Sequence, residues 1–300
     1  MPALDCLQFD HIITQTIRAN WLNDAAVGLD VLRTDLLHPV ISGNKWFKLQ
    51  FYVAEAIQYN ARTIATFGGA YSNHIVATAY ACRQSGIASA GFIRGEKPAT
   101  LSHTLRQAMA YGMELHFLSR EQYRQKAVWQ QQFPGYYWIA EGGYGEAGAR
   151  GAAGMLSFVP SLPQYSHIVA AAGTGTMLAG LVRAALPGQQ VIGISALKNH
   201  TGLEQDIRAL LPEGISTPFR VFHDFHFGGY AKHPPALIRY ITECWHNYQL
   251  PLDMVYTAKA FFAAEQLIRE KVITAGSQVL FVHSGGLQGN LSLPPGLLPF

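Results

Sequence analysis

Apolar runs of strand length alternate with helix-period segments along most of this 300-residue chain, and several of the runs end in glycine. That alternation constrains the fold more than any other feature. A strand buried on both faces reads as an unbroken apolar run. Successive parallel strands need a crossover, which a helix supplies. The runs are TIATFGG (Thr63–Gly69), ASAGFIRG (Ala88–Gly95), MELHFLS (113–119), YYWIAEGG (Tyr136–Gly143), SHIVAAAGTGT (Ser166–Thr176), QVIGISAL (190–197) and SQVLFVHSGG (Ser277–Gly286). Between them, Trp46, Leu49, Val53, Ala56 and Ile57 recur at spacings of three or four, as one helix face does. Ser72–Gly86 reads as a helix capped by Ser72 or Asn73. Thr100–Gly112 reads as a helix ending on glycine, Glu121–Gln132 as a polar helix, and MLAGLVRAAL as another. The pattern predicts an α/β fold with mainly parallel sheets flanked by helices.

Composition narrows the function classes. The chain is 49% hydrophobic and only 14% charged, with a net charge of +3, well below the usual quarter of charged residues. Its lysines and arginines are scattered, so no basic stripe for nucleic acid is present. Three cysteines without a CxxC make a poor disulfide framework and fit a reducing compartment. MPALDCLQFD lacks a basic segment followed by an apolar one, so no signal peptide is expected. No apolar run reaches about eighteen residues, so no membrane span is expected. A cytoplasmic protein is the expectation. VFHDFHFGGY reads as strand-like, which would turn His223 and His226 to opposite faces and argues against a metal site. No linker, repeat or low-complexity tract marks a domain boundary.

In open α/β sheets, ligands bind at the carboxyl ends of strands. Four such ends here are polar and glycine-rich: GGAYSNH (Gly68–His74), WIAEGGYG (Trp138–Gly145), AAGTGTMLAG (Ala171–Gly180) and VHSGG (Val282–Gly286). In the third, glycine and threonine run straight into a helix, where converging N–H groups suit an anion. It is neither a Walker loop nor a GxGxxG fingerprint. Each of the four alone is equally an ordinary tight turn or helix cap. The unusual feature is ISGNKWFKLQ (Ile41–Gln50), which sets Lys45 and Lys48 one turn apart in an apolar context. A desolvated lysine beside a second cation loses its proton more readily and becomes a nucleophile for carbonyls. A reactive lysine plus a separate phosphate cradle suggests pyridoxal phosphate.

Taken in order, VLRTDLLHPVISGNKWFKL, FGGAYSNH, AEGGYGEAGARG, AAGTGT, VYTAKA and VHSGG resemble the 1-aminocyclopropane-1-carboxylate (ACC) deaminase / D-cysteine desulfhydrase family of tryptophan-synthase-β-like (fold type II) pyridoxal-phosphate enzymes. The resemblance spans nearly the whole chain. It implies two domains, a larger cofactor-binding one at 1–45 and 156–300 and a smaller α/β one at 46–155, with the site in the cleft. It implies that Lys45 joins the cofactor aldehyde and later moves the α-proton, and that Lys48 sits by the phosphate. It implies that Gly173, Thr174, Gly175 and Thr176 form the phosphate loop, and that Asn73 lies beside the cofactor's 3′-oxygen. Ser72, Asn73 and His74 match the turn that holds the substrate carboxylate. Tyr230 and Tyr256 match two active-site tyrosines, and Ser284 falls in the cofactor-binding set.

One departure bears on the reaction. The deaminases read Tyr-Glu-Gly-Lys where this chain reads Tyr256-Thr257-Ala258-Lys259, and desulfhydrase-like members read Tyr-Thr. A glutamate would favour a protonated pyridine and a stronger electron sink; Thr257 would leave the ring neutral. The resemblance therefore implies β-elimination on a small amino acid, D-cysteine first, over ACC deamination. Phe47 also stands where the family has arginine. A racemase of the same fold, a non-enzymatic cofactor-binding protein and a nucleotide-binding fold are rivals, in falling order. Low charge and high apolar content hint at a homodimer.

Overall fold

The computed structural model describes residues 6–300; residues 1–5, where the segment read for a signal peptide begins, lie outside that description. The described residues form ten strands: β1 (Thr14–Ile17), β2 (Gly28–Leu32), β3 (Thr63–Gly69), β4 (Ala88–Arg94), β5 (Met113–Leu118), β6 (Tyr137–Ile139), β7 (His167–Ala172), β8 (Gln190–Ser195), β9 (Phe219–Phe222) and β10 (Gln278–Val282). A six-stranded sheet runs β1-β2-β10-β7-β8-β9, and a four-stranded sheet runs β5-β4-β3-β6. β1 pairs antiparallel with β2; the other neighbours pair parallel. β10, last in sequence, sits between β2 and β7, so the carboxyl-terminal segment completes the middle of the larger sheet.

Each apolar run yields a strand, and the runs end where glycine or a polar turn begins. β1 and β2 have no such signal. β1 is the polar TQTI, and Asp30 interrupts β2. Asp30 is tolerated because its Oδ2 accepts the Tyr165 hydroxyl at 2.7 Å. The loop after β2 is tied by Arg33, whose guanidinium donates to both Asp35 oxygens at 2.9 and 2.7 Å, a buried bidentate pair.

The helix Asn44–Gln58 buries Trp46, Leu49, Val53 and Ala56 as their spacing predicts; Ile57, grouped with them, is instead 43% exposed. The expected helix Glu121–Gln132 is two short helices, Arg120–Arg124 and Lys126–Gln132, broken at Gln125. Ser119 and Gln122 form a capping box that starts the first. The Trp129 indole then takes the Gln122 carbonyl at 3.1 Å, an acceptor that a continuous helix would use itself. β9 ends at Phe222, so His223 and His226 lie beyond it, and the strand-like reading of that segment fails there. His223 Nε2 lies 2.9 Å from Glu204 Oε1, and His226 Nδ1 accepts the Gly228 N–H. Among the described residues no helix is long and apolar enough to cross a membrane.

Three helices bring the site's elements together at backbone distance. Asn44–Gln58 packs on Glu146–Ala153, which packs on Thr176–Ala184. A Cβ on Gly151 would fall 1.8 Å from the Phe47 carbonyl oxygen, and one on Gly180 would fall 2.5 Å from that of Ala149. Only hydrogen fits at these crossings. Gly151→Ala therefore forces the helices apart and lowers unfolding stability by about 3 kcal/mol, read as a fall in denaturation midpoint; an unchanged midpoint contradicts the packing.

Candidate active site

The four glycine-rich strand ends, scattered in sequence, converge on one cavity of about 270 Å³. β3 contributes Ser72, Asn73 and His74. β7 contributes Gly173, Thr174 and Gly175. The turn after β6 contributes Gly142, and the turn after β10 contributes Ser284, Gly285 and Gly286. Lys45 and Lys48 project from the start of the helix Asn44–Gln58, and Tyr230 and Tyr256 complete the wall. Of the residues expected at the site, Thr176 and Thr257 lie behind the lining. Thr176 Oγ1 is 3.1 Å from Thr174 Oγ1. The Thr257 hydroxyl donates to Asp253 Oδ1 and accepts the Asp253 N–H, both at 2.7 Å.

Burial controls the two lysines. Desolvation pulls Lys45 down to about 8, opposed by the Asp253 carboxylate. Its Nζ donates to Asn44 Oδ1 at 2.5 Å, and the other end of that amide reaches Met177 Sδ at 3.2 Å. Lys48, more deeply buried, is pushed well below the ordinary lysine range by burial and then by Lys45. Its Nζ donates to the Gly142 carbonyl at 2.7 Å. Burial thus favours the neutral form of both amines, and a neutral amine is what a carbonyl nucleophile requires.

The turn after β3 presents polar groups without protein partners. Ser72 is the N-cap of the helix Asn73–Gln84, yet its side chain makes no capping bond. The amide of Asn73 has one long contact, 3.5 Å to the Gly286 carbonyl, and its Oδ1 is buried without a partner. Burial, Lys48 and Lys45 push His74 down to about 3, so its ring stays neutral. Its Nε2 is 3.0 Å from the buried Thr66 hydroxyl, and its Nδ1 has no protein partner. Donation from Thr66 to Nε2 pairs the hydroxyl hydrogen and leaves N–H on Nδ1; the tautomer is assigned on that ground. Unpaired buried polar atoms are uncommon in native proteins, and two of those here belong to side chains that line one cavity.

Opposite, Tyr230 and Tyr256 meet edge to face, ring centroids 6.2 Å apart. Burial raises both hydroxyls above the usual tyrosine range, Tyr256 furthest, so they stay protonated. Sequence reasoning missed Asp253. This fully buried carboxylate accepts the N–H groups of Val255, Tyr256 and Thr257 at 2.8–2.9 Å. An aspartate just ahead of a helix start was a readable signal. Asn44, Tyr71, Gly142 and His233 also line the cavity without having been singled out.

The family model of pyridoxal-phosphate dependent enzymes matches residues 8–285. The chain belongs to that family. A Thermotoga maritima protein provisionally named 1-aminocyclopropane-1-carboxylate deaminase is 31% identical over 86% of this chain and 88% of its own length. The mitochondrial bifunctional D-cysteine desulfhydrase/1-aminocyclopropane-1-carboxylate deaminase of Arabidopsis thaliana is 26% identical over 86% of this chain and 72% of its own. The solved structure of an ACC deaminase homologue shares the fold, with a TM-score of 0.80 at 23% identity, covering 95% of this chain and 92% of that one.

The residues present fit the family's cofactor. Its aldehyde needs an amine that sheds its proton readily, and burial brings Lys45 down to about 8. Its phosphate needs convergent N–H groups, and the Gly173–Thr176 turn opens the helix Thr176–Ala184 with Gly175 at φ +80°. The unpaired groups of Asn73 and His74 would give it or a substrate polar partners.

The lysine's shift carries a sign that can be checked. Between about 8 and the ordinary 10.5, the unfolded chain holds a proton at Lys45 that the folded chain has released. Stability therefore rises with pH across that window, and at pH 7 the buried charge is a penalty. In cofactor-free protein, Lys45→Met melts higher than wild type at pH 7, and the gap shrinks as pH approaches 10.5. Lys48 and Lys259 carry the same sign, so the wild-type-minus-variant difference is the quantity to read. A gap that widens with pH contradicts the burial argument.

Proposed function

We propose that this chain removes a β-substituent from a small amino acid, with D-cysteine as the first substrate, releasing sulfide, ammonia and pyruvate. The observation that carries this reading is the cavity lining, which among the described residues holds two amines and no carboxylate. The names of the relatives, which include D-cysteine desulfhydrase, support it. When bound, the cofactor supplies an electron sink for the pair left at Cα. No aspartate or glutamate in the lining would hold a pyridine nitrogen protonated, so the sink is the weaker, neutral one. That suffices when Cβ carries thiolate, a good leaving group, and gives less help to opening a cyclopropane.

The chain's own residues then have distinct tasks. Lys45, held by Asn44, takes the α-proton with its neutral amine. Lys48, on the Gly142 carbonyl, and the Gly173–Thr176 turn hold the phosphate. Ser72, Asn73 and the His74 Nδ1–H receive the substrate carboxylate. Tyr230 and Tyr256, protonated at working pH, donate to the departing sulfur. Thr257 acts behind the wall by securing Asp253, and Ser284 borders the cofactor ring.

The active site is proposed to lie between a larger unit (1–45 and 156–300) and a smaller one (46–155). The two sheets support this, since β3–β6 all fall within 63–139. A cytoplasmic homodimer is the proposed working state, supported by the low charge and sparse cysteines.

The test starts from a visible absorbance spectrum of the purified protein. Wild type shows a band that borohydride abolishes, and Lys45→Ala lacks it. Pyruvate then appears from D-cysteine with wild type, with turnover at least about 10³-fold lower in Lys45→Ala. No pyruvate from D-cysteine, together with 2-oxobutanoate from ACC, transfers the assignment to the deaminase named among the relatives. No product from either substrate overturns the lyase reading.

A further inference from the structure

Lys259 is fully buried, and nothing in the reaction above uses it. It lies in the first turn of the helix Thr257–Arg269. A cation there is opposed both by desolvation and by the positive end of the helix dipole. Its hydrogen bond goes to a backbone carbonyl, that of Gly229, at 2.7 Å. Gly229 is the residue before Tyr230.

The segment that carries Tyr230 is tightly turned: the Gly229 N–H donates to the His226 carbonyl at 3.0 Å, and the Lys232 N–H to the Gly229 carbonyl at 3.2 Å. Phe227, Gly228, Gly229 and Ala231 have φ of +49°, +93°, +120° and +54°. Two of these are not glycine, and side chains disfavour that region. Such a run costs backbone energy, which contacts from outside the turn help to offset. Tyr230 itself is 45% exposed and lines the cavity together with Ala231 and His233. Two contacts from the helix Thr257–Arg269 and its cap bear directly on Tyr230 and the residue before it. The Lys259 ammonium holds the main chain one residue upstream, and the edge of Tyr256 meets the ring at 6.2 Å. Both anchors come from the four residues Tyr256–Lys259, so VYTAKA acts as a clamp on this arm.

We propose that Lys259 is a positioning residue: through the Gly229 carbonyl it fixes Tyr230 over the cavity, in the orientation that serves the departing group. The inference rests on the reading that Tyr230 faces the substrate. Displacing such a group by about 1 Å can cost on the order of 100-fold in rate.

A double-mutant cycle on the holoenzyme tests it, using D-cysteine, or ACC if that is the substrate turned over. Lys259→Met keeps the stem and removes the donor. It lowers kcat/KM by roughly 10- to 100-fold, with the cofactor absorbance band retained. Tyr230→Phe also lowers it. The double variant is no slower than the slower single, because both changes remove the same contribution. Lys259→Arg, which keeps a donor, recovers part of the loss. If the two losses multiply, or Lys259→Met turns over like wild type while Tyr230→Phe does not, the clamp is wrong. If Tyr230→Phe turns over like wild type, the underlying reading of Tyr230 fails instead. Should Lys259→Met not fold, Gly229→Ala strains the arm with Lys259 intact, since the nearest atom to the added Cβ is Lys198 Cβ at 3.4 Å and the cost lies in the backbone. Its loss vanishes in the Tyr230→Phe background if the clamp is right and persists there if it is wrong.

Discussion

The site depends on one backbone-to-backbone contact. Gly43, at φ +57°, lies so close to the end of β10 that a Cβ would fall 2.0 Å from the Ser284 carbonyl oxygen. From the other side, a Cβ on Gly285 would fall 2.9 Å from the Gly43 nitrogen. The Asn44 N–H donates to that same Ser284 carbonyl, and the Gly43 N–H donates to Thr34 O. Two turns from opposite ends of the chain are thereby locked together. The helix that begins at Asn44 starts from this lock, so Lys45 enters the cavity beside the ends of β10 and β7. Any larger residue at either glycine would move the lysine.

Around that lock the protein manages few charges in a largely apolar setting. Desolvation alone would lower both lysines; Asp253 restrains the fall at Lys45, and Lys45 deepens it at Lys48. Burial keeps His74 neutral, and the same two lysines add to it. Asp253 is itself held by three backbone N–H groups and the Thr257 hydroxyl. These donors satisfy the buried carboxylate, and it orders the helix start that carries Tyr256. One acid thus links the chemistry of the amine to the placement of the tyrosine.

The strands that form the middle of both sheets were readable because burial on two faces demands unbroken apolar runs. β1 and β2 were not, because Asp30 and the polar TQTI find their partners only across the fold. The break at Gln125 could not be read either, since there the Gln122 carbonyl goes to the indole of Trp129, seven residues further on. At the site, the turns were visible as glycine-rich strand ends. Thr257 was expected to face the cofactor; the local pairing with Asp253 that occupies its hydroxyl went unread.

The sequence by itself determined the alternation of strand and helix, the four polar strand ends, and a lysine pair set in apolar surroundings. These are local properties, governed by periodicity, by glycine's freedom and by residue chemistry. Tertiary structure alone decided that the four ends meet at one cavity, that Lys45 loses its proton near pH 8, and that Lys259 holds the arm of Tyr230. Desolvation, close backbone approach and a hydrogen bond across thirty residues depend on distances that no local pattern of residues encodes.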